Sequence, residues 1–551
     1  MSPAARPDFS LNAARRSGEL AELAAGREID VLVVGLGVTG AGTALDAASR
    51  GLSVAAIDAH DLAFGTSRWS SKLVHGGLRY LASGQVGVAH ESAVERGVLM
   101  ERTAPHLVRA QPFVMPLTAL VPRRNAALAE AGLRAGDLLR AVAGTARGTL
   151  PRPRRLSAVE TLRAAPGLRG HGLRGGLCSW DGRLVDDARL VTAIARTAAG
   201  HGARVLTRTR ALSVTGTGAL VRNELTGQET RIRARMVINA TGVWAGRLVE
   251  DIRLRPSRGT HLVLRAGSLA GLHTGLHIPV PGETSRFVLV VPQDDGRVYV
   301  GLTDEPVDGP VPDVPEAPES DIGFLLDILG TVLDTPVRRH DVVGAFAGLR
   351  PLLDTSHGVG AAGPRTSDLS RRHAVVTSRE GVVTVVGGKL TTYRKMAQDA
   401  VDAALAARHL TARPGRGTAR LPLVGAASRA SLATLSAPRR LIERYGTEAS
   451  AIHALGEREP RLRAPVADGL DTTRAELLWA VRHEGALDAS DLLDRRTRVG
   501  LVPADPPAPP AAPPPPPRPA APPRAPGWAR ARAADAAHEA LAAAARPATG
   551  I

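Results

Sequence analysis

Two short segments of this chain hold the residue types best suited to chemistry. Of its 70 basic residues only three are lysine, and Lys72, Lys389 and Lys395 all lie within residues 70–80 and 387–395. Two of the four tyrosines lie in the same segments. A chain that uses arginine almost everywhere is expected to keep lysine where a guanidinium cannot replace a compact ammonium. The two segments are therefore the first candidates for the chemistry of the protein.

A glycine-rich turn precedes the first segment. Gly35, Gly37 and Gly40 follow an apolar run that predicts a strand, and they open a predicted helix. Asp58 lies 23 residues after Gly35, near the offset of roughly 20 in a dinucleotide-binding fingerprint. The glycines let the backbone approach a pyrophosphate at a helix N-terminus, and the carboxylate accepts from a ribose hydroxyl. The motif does not separate FAD from NAD, and an ordinary tight βα turn is the alternative.

The later segment also joins a predicted strand to a predicted helix, which runs from about residue 390 to 407. The start of that helix would stabilise negative charge on a ring placed against it. Its candidate cofactor contacts are Gly387, Gly388, Leu390 and Thr391. A plain turn with a solvated Lys389 is the alternative.

Two other stretches suit close contact with a large cofactor. One is a strand end made of small residues, at Ala240, Thr241 and Gly242. The other is the polar loop within residues 70–80, where an ordinary surface loop is the alternative. Its candidate contacts are Ser70, Ser71, Lys72, Leu73, His75, Gly76 and Gly77.

In their order and spacing these motifs, together with Phe-Ala-Gly-Leu-Arg-Pro-Leu at 346–352, resemble those of the FAD-dependent glycerol-3-phosphate dehydrogenases, which are respiratory and quinone-linked. The resemblance covers roughly residues 28–502. It implies an α/β fold, with a glutathione-reductase-like FAD-binding domain, a mixed α+β substrate cap and a C-terminal helical domain. This chain departs from the family at Asp58, where Glu is common.

The predicted domain boundaries follow from the resemblance and from composition. They are an N-terminal extension at 1–28, a discontinuous FAD-binding domain at 29–100, 175–248 and 344–410, a cap at 101–174 and 249–343, a helical domain at 411–502, a proline-rich linker at 503–526 and an alanine-rich tail helix at 527–551.

The resemblance implies oxidation of sn-glycerol 3-phosphate to dihydroxyacetone phosphate, with hydride transfer from C2 to N5 of FAD and electrons passed to a membrane quinone. By their positions in the family's motifs, Arg79, Arg371 and Lys389 are expected to bind the phosphate, with Tyr80 donating a hydrogen bond to it. Arg350 and Lys389 are also catalytic candidates, Arg350 near the C2 oxygen. Removal of the hydroxyl proton requires a base, for which His261 is the candidate. A structural role for this histidine is the alternative.

Composition limits the partners. A net charge of +17 suits anionic partners, but only 3% aromatic residues leaves little for stacking on nucleic-acid bases. One cysteine excludes a disulfide framework and a cysteine zinc site, and no metal is expected. Without an apolar run of about 18 residues, we expect a cytoplasmic protein. The membrane quinone that the resemblance implies adds peripheral contact with the inner face of the cell membrane. The resemblance also allows a homodimer.

An arginine-rich stretch within 123–155 is the candidate membrane contact. Its predicted apolar helical face comprises Leu128, Leu133, Leu138, Leu139 and Val142. The cations predicted to meet lipid headgroups are Arg124, Arg134, Arg140 and Arg147. A solvated charged face is the alternative. Two rival functions remain: an oxidase of the same fold that uses oxygen, and a non-catalytic flavin- or nucleotide-binding protein.

Overall fold

The computed structural model describes residues 7–77, 80–81, 84–265, 267–269, 271–283, 286–354, 372–414, 417–501 and 527–545. Arg79, Arg371 and the predicted linker at 503–526 lie outside the described residues.

Across these ranges the chain forms helices and two sheets. The helices are α1 (Ala13–Ala24), α2 (Val38–Ser49), α3 (Val86–Val98), α4 (Arg123–Val142), α5 (Ala158–Ala164), α6 (Asp187–Gly200), α7 (Ala245–Leu248), α8 (Glu319–Gly330), α9 (Tyr393–Ala407), α10 (Arg429–Ala433), α11 (Arg439–Tyr445), α12 (Ala449–Arg458), α13 (Arg474–His483) and α14 (Gly527–Ala545). The strands are β1 (Ile29–Val34), β2 (Val54–Ile57), β3 (Leu73–Val74), β4 (Val108–Pro116), β5 (Arg154–Leu156), β6 (Gly176–Leu184), β7 (Arg204–Leu206), β8 (Thr209–Thr215), β9 (Gly218–Asn223), β10 (Glu229–Asn239), β11 (Ser257–Leu264), β12 (Gly275–Pro279), β13 (Phe287–Pro292), β14 (Val298–Gly301), β15 (Glu305–Pro306), β16 (Val342–Arg350), β17 (Ala374–Thr377) and β18 (Val383–Val386).

The first sheet carries the predicted dinucleotide motif. Its strand order is β17-β18-β10-β1-β2-β7, and β1 pairs in parallel with both β2 and β10. Val34, the last residue of β1, lies beside Ile57 on one side and Asn239 on the other. The strand order therefore reverses at β1, and the carboxyl end of β1 is the position where such sheets bind ligands.

The apolar run of β1 is typical of a strand that is buried on both faces. Val31 and Val33 pack into one core with α2, α6 and α9. Leu32 and Val34 pack into a second core, which α1 and the strands β8, β9 and β10 complete. Because both faces are covered, only the strand ends remain for a ligand.

The second sheet contains the strands of the predicted cap, β4, β5 and β11 to β15, together with β3, β6 and β16. Its order is β15-β11-β14-β13-β12-β4-β6-β3, with β16 also pairing with β11 and β5 with β6. In this register His261 on β11 lies between Phe346 on β16 and Gly301 on β14, and Ser257 lies opposite Arg350. The pairing of β11 with β16 thus places two of the catalytic candidates on adjacent strands.

Helices α10 to α13 form the C-terminal part of the chain, and α14 packs against α13. The predicted α/β class with a helical C-terminal part is confirmed. Strands β7 and β8 are separated by a short turn at Arg208, whose φ is +53°. The domain boundaries themselves stay predictions.

Candidate active site

One cavity of about 1340 Å³ joins the ends of the first sheet to the cap. Both glycine segments lie in its wall, the early one at Gly35 and Gly37 and the late one at Gly387 and Gly388. Segments more than 350 residues apart in the sequence therefore meet at one site. The wall also contains most of the other site residues predicted from the sequence (the selected residues): Asp58, Ser70, Ser71, Leu73, His75, Tyr80, Ala240, Thr241, Gly242, His261, Arg350, Lys389, Leu390 and Thr391.

Gly35 and Gly40 are needed for the packing of the turn that follows β1. Gly35 has φ +103°, and a Cβ on it would come within 2.6 Å of the carbonyl oxygen of Ala240. A Cβ on Gly40 would lie 1.8 Å from the carbonyl oxygen of Gly35. The turn can therefore lie flat between β1 and β10, which leaves the N-terminus of α2 pointing at the cavity.

Asp58 stands at the end of the neighbouring strand, β2. Its carboxylate accepts hydrogen bonds from the N–H groups of Leu36 (2.7 Å) and His60 (2.8 Å). Burial raises the pKa of Asp58 to about 6 against these two donors. Each carboxylate oxygen keeps a second lone pair, so the group can still accept from the hydroxyls of a ribose.

The late segment turns sharply before it becomes helical. Gly387 and Gly388 have φ values of +77° and +70°, a region that residues with a side chain rarely adopt. A single 3-10 turn at Leu390–Thr392 then leads into α9. The backbone at the beginning of this helical segment faces the cavity, where it can stabilise negative charge.

Cations and a tyrosine line the part of the cavity between the late segment and the cap. The ammonium of Lys389 lies 3.6 Å from the ring centre of Tyr80 and donates to the hydroxyl of Ser92 at 2.8 Å. Arg350 donates to the hydroxyl of Ser257 and to the carbonyl oxygen of Thr303, both at 3.1 Å. Asp304 is its ion-pair partner. Lys389 and Arg350, each held by contacts with neighbouring groups, thus place two cations in the cavity wall.

His261 is held in a defined orientation beside these cations. Its Nε2 lies 2.8 Å from the hydroxyl of Ser71, and its ring stacks on Phe346 with centroids 4.8 Å apart. Burial lowers the pKa of His261 to about 3, and the charges of Lys72 and Arg350 add to this effect. The imidazole is therefore neutral at neutral pH, the form that can accept a proton.

Four of the selected residues do not line the cavity. Lys72 is a correction: its ammonium is buried and donates to Asp187 (2.7 Å) and to two backbone carbonyls, so the side chain cannot reach a ligand. Gly40 serves the turn packing described above. Gly76 and Gly77 pack against the side chains of Arg96 and Ser92, where a Cβ would clash. These three glycines do not line the cavity, but their lack of a side chain allows the close packing behind its wall.

The cavity wall also contains residues that the sequence motifs did not indicate. Trp69 and Trp244 lie in it, next to the selected Ser70 and close to Gly242. The sequence did contain a signal for them: aromatic residues make up only 3% of the chain, and two of its five tryptophans lie beside the selected motifs. Ser67 is a third case: its hydroxyl accepts from the N–H of Val38 at the start of α2 (2.8 Å), which ties the loop to the dinucleotide turn.

The residues in this wall fit FAD, the cofactor that the resemblance implies. The indole N–H groups of Trp69 and Trp244 are buried and have no hydrogen-bond partner among the described residues, so each is available to an acceptor on a ligand. The glycine turn, Asp58 and the late helical segment would supply contacts for the pyrophosphate, the ribose and the ring, respectively. Through these groups the chain would hold the cofactor across the full length of the cavity.

Comparisons with known proteins agree with this geometry. A family model described as FAD dependent oxidoreductase matches residues 30–394, and one described as the C-terminal domain of alpha-glycerophosphate oxidase matches residues 416–508. The chain is 56% identical over 499 residues to glycerol-3-phosphate dehydrogenase 1 of Mycobacterium tuberculosis, covering 90% of this chain and 96% of that protein. It is 34% identical over 526 residues to a mitochondrial glycerol-3-phosphate dehydrogenase of Arabidopsis thaliana, covering 87% and 80%.

A solved structure gives the same result. The glycerol-3-phosphate dehydrogenase from Bacillus halodurans complexed with FAD superimposes with a TM-score of 0.68 at 26% identity, over 90% of each chain. Sequence and fold therefore agree over most of the molecule, and the chain belongs to the FAD-dependent glycerol-3-phosphate dehydrogenase family, with FAD as its cofactor.

Proposed function

We propose that this protein oxidises sn-glycerol 3-phosphate to dihydroxyacetone phosphate and passes the electrons to a membrane quinone. The observation that carries the proposal is the meeting of two cations, Arg350 and Lys389, with a neutral imidazole, His261, in the wall of the cavity that fits FAD. A cofactor alone does not need this arrangement, whereas a phosphorylated alcohol does. The relatives named as glycerol-3-phosphate dehydrogenases support the same substrate.

Lys389 and Tyr80 are proposed to hold the phosphate, with Arg79 and Arg371 completing its site. The substrate phosphate carries close to two negative charges, and a hydrogen bond between charged groups contributes about 1.5–3 kcal/mol. Ammonium and phenol lie close enough together in the cavity wall for one phosphate to contact both.

Arg350 and His261 are proposed to act at the C2 hydroxyl. FAD, when bound, supplies the acceptor for the hydride that leaves C2. Arg350 would orient the C2 oxygen, and Nε2 of His261 would accept its proton after the substrate hydroxyl displaces that of Ser71. A pKa near 3 makes His261 a weak base, so we expect His261→Asn to lower kcat by about ten- to a hundredfold, at or below the lower end of a general base's usual contribution.

The test is an anaerobic absorbance spectrum of the purified protein before and after addition of sn-glycerol 3-phosphate. We expect the yellow colour to bleach, whereas sn-glycerol 1-phosphate and glycerol should leave it unchanged. Lys389→Met should remain yellow and require about ten- to a hundredfold more substrate for half bleaching. Lys395→Met is the matched control, because Lys395 pairs with Asp399 outside the cavity wall.

Each rival function predicts a different outcome of the same experiment. A yellow protein that sn-glycerol 3-phosphate never bleaches would favour a non-catalytic flavin-binding protein. Release of hydrogen peroxide in air, at the rate of substrate oxidation and without added quinone, would favour the oxidase. We expect slow peroxide release and a large stimulation by a soluble quinone analogue.

A surface next to the cavity supports a membrane-bound acceptor. Leu120 and Leu128 line the cavity and are also 61% and 71% exposed, and the exposed Leu138 and Val142 continue the apolar row along α4. The described residues contain no helix with the length and apolarity needed to cross a bilayer. We propose that this row contacts the inner face of the cell membrane and admits a quinone to the cavity.

The arginines predicted to meet lipid headgroups need one correction. Arg140 is buried, and its guanidinium bonds to Asp137 and to the carbonyl oxygen of Thr145 at the end of α4, so it cannot reach a membrane. Arg134 remains exposed. Leu133 and Leu139 are half-buried, so the exposed apolar row on α4 consists of Leu128, Leu138 and Val142.

Sedimentation with vesicles tests this surface. We expect wild-type protein to sediment with anionic vesicles and to dissociate at high salt, because screening weakens headgroup contacts. Leu128→Ser combined with Leu138→Ser should reduce the bound fraction severalfold. The control is Leu225→Ser, since Leu225 is also exposed (55%) but lies on the turn between β9 and β10, away from α4 in the sequence. Wild-type protein that never sediments with anionic vesicles would contradict membrane contact.

A further inference from the structure

The tail helix α14 lies outside both matched family regions, the second of which ends at residue 508. Among residues 530–544, whose side chains the structure describes, the buried ones are all alanine: Ala533, Ala536, Ala537 and Ala540. This face packs on Leu477 of α13 and on Leu492, Leu493 and Val499. The small side chains let the helix approach closely, so the tail covers an apolar surface that would otherwise meet water.

Polar contacts fix the position of α14 relative to one segment, residues 494–501. Arg530 donates to the carbonyl oxygen of Gly500 (3.3 Å), and its guanidinium lies 3.7 Å from a carboxylate oxygen of Asp494. A second ion pair joins Glu539 to Arg474 on α13. The tail therefore holds this segment from one side.

On its other side the same segment contacts the loop that lines the cofactor cavity. Arg495 and Arg496 both bond to the buried carboxylate of Asp61 at 2.7 Å. Arg498 donates to the carbonyl oxygen of Arg68 at 2.6 Å. Asp61 and Arg68 lie between residues of the cavity wall, since Asp58, Phe64, Trp69 and Ser70 all line it.

We propose that α14 is an intramolecular ligand of the C-terminal domain and that its docking stabilises the loop 58–71 against bound FAD. The contacts run from Arg530 to residues 494–501, from there to Asp61 and Arg68, and from these to the wall of the cavity. Undocking of the tail loosens the middle segment, and FAD then dissociates faster. The proposal depends on FAD as cofactor and not on the identity of the substrate.

The test compares two full-length variants that carry the same substitution on opposite faces of α14. Ala536→Glu places a carboxylate in the buried face, whereas Ala542→Glu places it on the exposed face. Hydrogen–deuterium exchange reports docking of residues 527–545. The rise of flavin fluorescence after dilution reports FAD release. We expect Ala536→Glu to lose protection in α14 and to release FAD about five- to twentyfold faster. Ala542→Glu should match wild type in both measurements.

Two results overturn the proposal: an unprotected α14 in wild-type protein, or an unchanged FAD release rate in Ala536→Glu once α14 is unprotected. If that variant also loses protection in α13, the decision passes to Arg530→Gln, which removes only the contacts with Asp494 and Gly500. Faster FAD release in Arg530→Gln then supports the proposal, and release at the wild-type rate overturns it. Because the readout is cofactor release, it is independent of turnover.

Discussion

Two arginine-rich regions of this molecule have opposite relations to water. In residues 494–498, the side chains of Arg495 and Arg496 are almost fully buried and share the carboxylate of Asp61. On and after α4, Arg134 and Arg155 are exposed, and both pair with Glu130 at the surface. Removing one partner of a buried ion pair costs about 3–5 kcal/mol, whereas an exposed pair contributes about 0–1 kcal/mol. Arginine content alone therefore does not indicate what a segment does.

The difference lies in what each region is attached to. The buried arginines join the C-terminal domain to the loop beside the cofactor cavity, so their charges are satisfied within the protein. The exposed arginines pair with Glu130 at the surface, beside an apolar row that has no partner in the described structure, so this region can contact another surface. The first region stabilises the fold, and the second is available for binding.

The largest effect is expected where the buried charge is uncompensated. Asp61→Asn keeps the shape of the side chain but removes the carboxylate that pairs with Arg496 and leaves Arg495 with Asp491 alone, and we expect it to destabilise the protein by about 3–5 kcal/mol. Glu130→Gln, the corresponding change at the exposed region, should stay within about 0.5 kcal/mol of wild type. Urea unfolding followed by circular dichroism measures both. Equal shifts in the two variants would remove the distinction between the regions.

The stability difference between wild type and Asp61→Asn should also depend on pH. Burial alone would raise the pKa of Asp61, but the guanidinium groups of Arg496 and Arg495 outweigh it and hold the pKa well below the usual range. A carboxyl whose pKa is lower in the folded state stabilises fully above its unfolded pKa of about 3.9 and loses that stabilisation as the pH falls. The difference in urea midpoint between wild type and Asp61→Asn should narrow as the pH falls below about 4, where Asp61 binds a proton in the unfolded state. A gap that widens in acid would contradict this assignment.

Local patterns predicted the elements around the site well. The glycine turn, Asp58 and the late glycine pair each occupy only a few residues, and the chemistry that they need is contained within those residues. Parallel pairing of β1 with β2 and β10 then brought their ends together, as the fingerprint implies. Short-range spacing was sufficient because the strand ends of one sheet lie at one edge.

Side-chain direction could not be predicted in the same way. Lys72 turns inward because its partner Asp187 lies more than 100 residues later, and Arg140 is buried because the chain after α4 returns a carbonyl oxygen to it. Docking of the alanine-rich tail depends likewise on an apolar surface made by α13 and residues 492–499. Each of these contacts is long-range or depends on a turn, and composition carries no record of it.

Lys72 permits a smaller and sharper test of the buried region. Its ammonium donates to Asp187 and to the carbonyl oxygens of Arg68 and Ser70, so that three donors meet three acceptors, and the carbonyl of Arg68 is shared with Arg498. A planar guanidinium is larger and cannot direct its donors to these points, so Lys72→Arg should overpack the site and destabilise the protein by about 1–3 kcal/mol.

Lys395→Arg is the matched control for that change. Lys395 is partly exposed and pairs with Asp399 one helical turn away, a geometry that arginine also satisfies, so we expect a shift within about 0.5 kcal/mol. Urea midpoints of the two variants, measured side by side, decide whether lysine persists at residue 72 because guanidinium does not fit there. If Lys72→Arg unfolds at the same midpoint as Lys395→Arg, the site around residue 72 accepts either cation, and the shape of the ammonium does not explain why lysine is found there.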